Sequence, residues 1–291
     1  MSTERLTNYH THTYRCNHAV GDEEEYIQAA IQEGYTELGF SDHTPWPYPS
    51  GFCSHMRMKP KELCEYTQSI RALADRYAGK VTVRVGLECE YYSDRIDWLR
   101  DQVCENRLDY LVFGNHYFPN EEQGPYFGSG QKNAQVLALY CKGAQLALES
   151  GLFACFAHPD LFLRGQNEFG PNEQAASREL CQMANCYNIP LEYNLNGERL
   201  GAPVSGQRCY PDAKFWQIAA QEGCSVIVGE DAHDPCWLKD TAKVLSIKGQ
   251  LEALGLQVVD SLKLFVFDKA GAICGMEQPK QAGEPAKQKI G

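Results

Sequence analysis

Short apolar or β-branched runs alternate with longer stretches of helical periodicity along nearly the whole chain. Residues 6–12, 36–42, 81–89, 109–115, 152–157, 190–196 and 225–230 read as strands, and helical segments fall at about residues 22–33, 60–78, 94–105, 131–150, 172–187, 211–222 and 245–254. This rhythm is that of a βα-repeated parallel sheet, and seven repeats fit a barrel better than an open sheet. The punctuation agrees with it. Asp22 with Glu23 to Glu25, and Pro171-Asn172 before Glu173, supply acceptors and negative charge where orphan amide groups open a helix. Gly34, Gly79, Gly151 and Gly223 stand just past helix ends, where a left-handed residue is wanted. The domain is expected over residues 1–270. Residues 271–291 are expected as a disordered tail, since the chain after about residue 276 is rich in Gln, Lys, Pro and Gly.

Where the strands end, the polarity changes in a particular way. Seven of the eight histidines lie at or just beyond predicted strand ends: His10, His12, His18, His43, His116, His158 and His233. Glu88 and Asp231 share that kind of position. Parallel barrels gather their chemistry at the C-terminal rim of the strands, so six strand ends would meet at one site. His10 and His12 alternate with Thr11 and point to one face. An isolated H-x-H motif is weak evidence for a metal, but five more histidines in equivalent positions change that. A catalytic zinc takes about three protein ligands, so nine donors suit two or three ions with a carboxylate bridge. Glu88, within an otherwise apolar run, is the best bridge. Its alternative, a buried pair with Arg84 or Arg95, would be expensive to desolvate. Imidazole with carboxylate suits Zn, Mn or Fe.

Other side chains could hold a substrate. Arg164 follows the His158 strand and offers a guanidinium fork that matches phosphate oxygens; Arg57 and Arg199 are second choices. Glu192, Asn194 and Asn196 alternate along the sixth strand toward the same mouth. His55 reads as a loop residue outside the ligand set.

Composition removes several alternatives. A net charge of −11 disfavours a nucleic-acid surface. The odd count of thirteen cysteines has no C-x-x-C pair and no apolar leader before it, which favours reduced thiols and a cytoplasmic protein. No apolar run approaches membrane-spanning length. Dinucleotide, P-loop and G-x-S-x-G motifs are missing, so a serine or cysteine nucleophile is not favoured.

The order His10-x-His12, His18, Asp42-His43, Glu88, Gly-x-His116, Ala-His158-Pro and Glu230-Asp231-x-His233 resembles the PHP (polymerase and histidinol phosphatase) metallohydrolase superfamily. Within it the chain is most similar to the PHP-type histidinol-phosphatases, through Cys16-x-His18-Ala19, Ser41-Asp42-His43-Thr44-Pro45, Arg57-Met58, His158-Pro159-Asp160-Leu161, Leu195-Asn196-Gly197-x-Arg199, Tyr210-Pro211 and Phe215-Trp216. The resemblance implies a distorted (β/α)7 TIM-like barrel. It also implies one ion on His10, His12, Glu88 and Asp231, a second on Glu88, His116 and His158, and a third on His18, His43 and His233. The expected activity is hydrolysis of the small phosphomonoester L-histidinol phosphate in histidine biosynthesis, with Asp231 and Glu88 as catalytic groups and Arg164, Arg199, Arg57 and Asn194 toward substrate. A nucleotide or another small phosphomonoester is the alternative substrate.

Overall fold

Eight parallel strands follow one another in chain order around a curled sheet: β1 (Thr7–Asn8), β2 (Glu37–Phe40), β3 (Thr82–Cys89), β4 (Tyr110–Gly114), β5 (Cys155–Ala157), β6 (Leu191–Asn194), β7 (Ser225–Gly229) and β8 (Gln257–Val258). This computed structural model describes residues 5–279. Helices α1 (Glu23–Gln32), α2 (Leu63–Arg76), α3 (Ile96–Glu105), α4 (Ala134–Glu149), α5 (Pro171–Tyr187), α6 (Leu195–Leu200), α7 (Ala213–Gln221) and α8 (Thr241–Ala253) separate them. Each of the seven expected strands and helices appears, with ends shifted by a few residues. The fold is a barrel, as the repeats predicted, and has the distorted TIM-like form that the resemblance implied.

Three departures stand out, two of them with local causes. The first strand is two residues long, because the Asn8 side chain takes over its ladder: Nδ2 donates to the His10 carbonyl at 3.0 Å, and Oδ1 accepts the Glu230 amide at 2.9 Å. Strand β6 stops at Asn194 where 190–196 was expected, since Asn194 Oδ1 accepts the Gly197 amide at 3.0 Å and starts α6. An eighth strand and a hairpin, β9 (Leu264–Phe267) with β10 (Ile273–Glu277), follow the repeats. The disordered tail expected from residue 271 is therefore wrong for 273–277, which pair with β9; the remainder of that expectation, 280–291, lies outside the described residues.

The seam of the barrel is asymmetric. At the C-terminal end of the strands, β1 and β7 approach directly through a Thr11–Ala232 bridge, with the His12 amide donating to the Ala232 carbonyl at 2.9 Å. At the other end β8 lies beside β7, Thr7 Oγ1 donates to the Asp260 carbonyl, and the hairpin covers the opening, anchored by the Phe265 amide on the Asp109 carbonyl at 2.8 Å. Leu262, Leu264 and Met276 pack there against Tyr9, Tyr110, Ala154 and Ile227. The barrel interior is filled by Tyr110, whose hydroxyl donates to the Tyr9 and Phe40 carbonyls. All thirteen cysteines are free, and six are buried as core fillers. Among the described residues no helix is long and apolar enough to cross a membrane.

Candidate metal centre

All nine predicted donors meet at the C-terminal rim, at or beyond the ends of β1 to β5 and β7. His10 and His12 leave β1 on the same face, and their Nε2 atoms stand 3.1 Å apart. Asp231 Oδ1 lies 3.5 and 3.2 Å from those two atoms, and Glu88 Oε2 lies 3.4 and 3.5 Å from them. The other oxygen of Glu88 turns the opposite way, 3.3 Å from His116 Nε2 and 2.9 Å from His158 Nε2. His43 Nδ1 is 2.9 Å from Glu88 Oε2. On the outer side His18 Nε2 and His233 Nε2 are 3.0 Å apart, with the His18 ring 5.4 Å from that of His43. Glu88 thus stands between two groups of nitrogens, as a bridge would. His55 is exposed and outside the cluster.

Two backbone positions carry strain to reach this arrangement. His158 and Asp231 adopt φ of 30° and 45°, a left-handed region that a branched or bulky residue enters only when its surroundings hold it there. Two strand glycines make room. A Cβ on Gly114 would stand 2.3 Å from Glu88 Oε1, and one on Gly229 would overlap Glu192 Oε1.

The donor set fits divalent cations on two observations. Ligand atoms about 2.0–2.2 Å from one ion stand roughly 3–3.5 Å from one another, which is the spacing found here. Several of these close pairs are misaligned for hydrogen bonding: His43 Nδ1 and Asp231 Oδ1 are buried without a hydrogen-bond partner despite their short contacts. Lone pairs aimed at shared points, rather than at each other, produce that geometry. The electrostatics agree. Burial pushes His12 far down and His43 down to about 3, which keeps their lone pairs free. Burial also opposes charge on His116, but Glu88 and Glu90 outweigh it and raise it to about 10. The carboxylates call for positive charge in a buried site, and a divalent ion supplies it.

Behind the donors stands a ring of supports. Glu192 Oε1 accepts from His10 Nδ1 at 2.8 Å, and Glu90 Oε1 from His116 Nδ1 at 3.0 Å. Both carboxylates therefore fix the tautomer that turns Nε2 inward. Neither is free for a substrate ammonium. Asn194 is likewise a support: its Nδ2 donates to Glu192 Oε2 at 2.8 Å and Asp231 Oδ2 at 3.2 Å, while Asn196 donates to the same Asp231 oxygen at 3.1 Å.

Of the three arginines expected toward substrate, two face elsewhere. Arg57 is buried and spends its guanidinium on Glu90, Glu121 and the Thr44 carbonyl. Arg199 pairs with Glu230 and stacks over Trp237. Arg57 is 2% exposed with all three guanidinium nitrogens bonded, so it has no free face; Arg199 is 21% exposed, but both its terminal nitrogens bond to Glu230. Arg164 is less fully bonded. Its Nη1 donates to the Gly128 carbonyl at 2.8 Å, its Nε is buried without a partner, and its charge acts on Tyr126 and Tyr210.

Above the donors opens a cavity of about 290 Å³ with walls of Met56, Tyr126, Leu161, Leu200, Tyr210 and Trp237. Tyr126 and Trp237 had no distinguishing signal in the sequence: Trp237 follows His233 by four residues and Tyr126 follows His116 by ten, and neither stands at a strand end.

The barrel and its nine convergent donors define the class as a metal-binding α/β barrel. A family model described as the PHP domain matches residues 8–195, and the chain belongs to that family. A Deinococcus radiodurans protein named "Probable histidinol-phosphatase" is 32% identical over 241 residues, covering 79% of this chain and 87% of the relative. A Schizosaccharomyces pombe protein of the same name is 23% identical over 252 residues, covering 78% and 80%. Among solved structures, the histidinol phosphate phosphatase of Lactococcus lactis, complexed with zinc, L-histidinol and phosphate, superposes with a TM-score of 0.67 at 16% identity, covering 89% of this chain and 96% of that one.

Proposed function

We propose that this chain is a metal-dependent phosphomonoesterase that hydrolyses L-histidinol phosphate to L-histidinol and phosphate, with two or three divalent ions (zinc, manganese or iron). The observation that carries the reading is the meeting of seven histidines, Glu88 and Asp231 beneath one cavity. The relatives named histidinol-phosphatase support the choice of substrate.

His10, His12, Glu88 and Asp231 would hold one ion, Glu88, His116 and His158 a second, and His18, His43 and His233 a third. Bound there, such ions would lower the pKa of a water toward neutrality and offset charge on the phosphoryl oxygens. Glu192 and Glu90 retain the Nδ1 protons of His10 and His116, which keeps both Nε2 lone pairs turned to the site. Asn194 and Asn196 occupy Asp231 Oδ2 and turn Oδ1 to the site, where one of its lone pairs would face an ion and the other can accept a proton. As a water oxygen attacks phosphorus, Asp231 Oδ1 takes the released proton and passes it to the leaving alkoxide when the P–O bond breaks. Arg164 draws the phosphate oxygens, and the Tyr126, Tyr210 and Trp237 rings receive the cationic histidinol moiety.

The test is phosphate release from L-histidinol phosphate beside a panel of nucleotides and sugar phosphates, with protein loaded with Mn, Zn or Fe. Preference for histidinol phosphate, lost by at least about a hundredfold in kcat for His116→Ala, is the expected result; preference for nucleotides would overturn the substrate.

A further inference from the structure

The His116 side of the centre is tied to the outer rim by a chain of buried charges. Glu90 has no free oxygen edge: Oε1 accepts from His116 Nδ1 and from Arg57 Nη2 at 2.9 Å, and Oε2 accepts from Trp46 Nε1 at 2.9 Å and Arg57 Nη1 at 3.2 Å. Arg57 is shared. Its Nε donates at 2.9 Å to Glu121 Oε2, and the same carboxylate accepts from Tyr48 Oη at 2.9 Å and Ser54 Oγ at 2.7 Å. Glu121 stands in the loop after β4, which also carries Tyr126 into the wall of the cavity; the Phe127 amide donates back to the His116 carbonyl at 2.9 Å. One guanidinium therefore links Glu121 on the rim to Glu90 behind a metal-site histidine, and joins the loop after β2 to the loop after β4.

We propose that Glu121 is a positioning residue that sets the strength of His116 as a metal ligand through Arg57 and Glu90. The physical argument is a division of charge. With Glu121 present, the single positive charge of Arg57 is split between two carboxylates, and Glu90 keeps enough negative charge to pull on the His116 Nδ1 proton and hold the ring. Without the Glu121 charge, Arg57 is committed wholly to Glu90. The His116 proton is held less strongly, Nε2 becomes a weaker donor, and the ring loses its fixed direction. Ion pairs in low dielectric act over such distances because little water screens them.

The inference rests on the reading of His116 as a metal ligand, so its test measures metal affinity and turnover separately. Zinc affinity is measured by competition with a chromophoric chelator for the full chain, for Glu121→Gln, for His116→Ala and for the double variant. KM and kcat for histidinol phosphate and the melting temperature of the metal-free proteins accompany it. Glu121→Gln is expected to weaken one zinc by about tenfold, leave the others unchanged, and lower kcat with little change in KM. In the His116→Ala background it should weaken nothing further.

Unchanged zinc affinity, or equal weakening in both backgrounds, overturns the relay and leaves Glu121 a structural link between loops. If Glu121→Gln does not fold, Tyr48→Phe removes one hydroxyl donor from the same carboxylate, leaves its charge more fully on Arg57, and is expected to strengthen the same zinc about two- to threefold; no strengthening overturns the relay. A wild-type protein that couples zinc binding in this way yet releases no phosphate from histidinol phosphate overturns the functional reading and leaves the relay standing. An active wild type with unaltered Glu121→Gln affinity overturns the relay alone.

Discussion

At the scale of the residue, the strand glycines are as necessary to the centre as the donors they flank. Gly229 precedes Glu230-Asp231, and a methyl group there would overlap the Glu192 oxygen that orients His10. Gly229→Ala is therefore expected to weaken the ion at His10, His12 and Asp231 by about tenfold or more, read by chelator competition, while circular dichroism keeps its native shape. Donors were legible in the sequence because residue type and strand-end position both mark them. The supports were not. Glu90, Glu192 and Asn194 are the same residue types at similar positions, and only three-dimensional partners distinguish a carboxylate that binds a histidine Nδ1 from one that faces a substrate. Arg57 illustrates the limit: it was a second choice for the substrate, but two buried carboxylates hold it.

At the scale of the element, the seven repeats were readable because the strands are largely buried and most of the helices begin at an Asp, Asn or Pro. Strand β8 and the β9–β10 hairpin were missed for the converse reason. They are two to five residues long, half exposed along much of their length, and followed by polar sequence. Their contribution is nonetheless to the barrel interior, since Leu262 at 1% exposure packs with Tyr9 and Tyr110 at the closed end. Leu262→Ala is expected to cost about 2–5 kcal/mol, measured by urea unfolding, without altering the metal affinity of the folded protein at the opposite rim.

At the scale of the whole molecule, a protein of net charge −11 must hold an anionic substrate against its own field. Local positive charge has to provide that attraction, and among the arginines weighed only Arg164 keeps an unpartnered nitrogen beside the cavity wall. Inorganic phosphate is therefore expected to bind the metal-loaded protein and not the chelator-treated protein, by titration calorimetry under identical buffer. Chelation should also lower the melting temperature, because ions that bind only the folded state add to its stability by mass action.

The seam between β1 and β7 has a further consequence. The residues that face each other there are distant in the chain: His18 and His233, 3.0 Å apart, are separated by 215 positions. Ions held by the two sides, as proposed, would act as a cross-link between the beginning and end of the barrel, removing the entropy of a very long open loop as a disulfide does. Loss of the metal would then unzip this joint before it disturbs the sheet elsewhere. The amides of His12 and Ala232, which cross the joint, should be the first of the barrel to gain hydrogen exchange when chelator is added, while those of β3 and β4 remain protected.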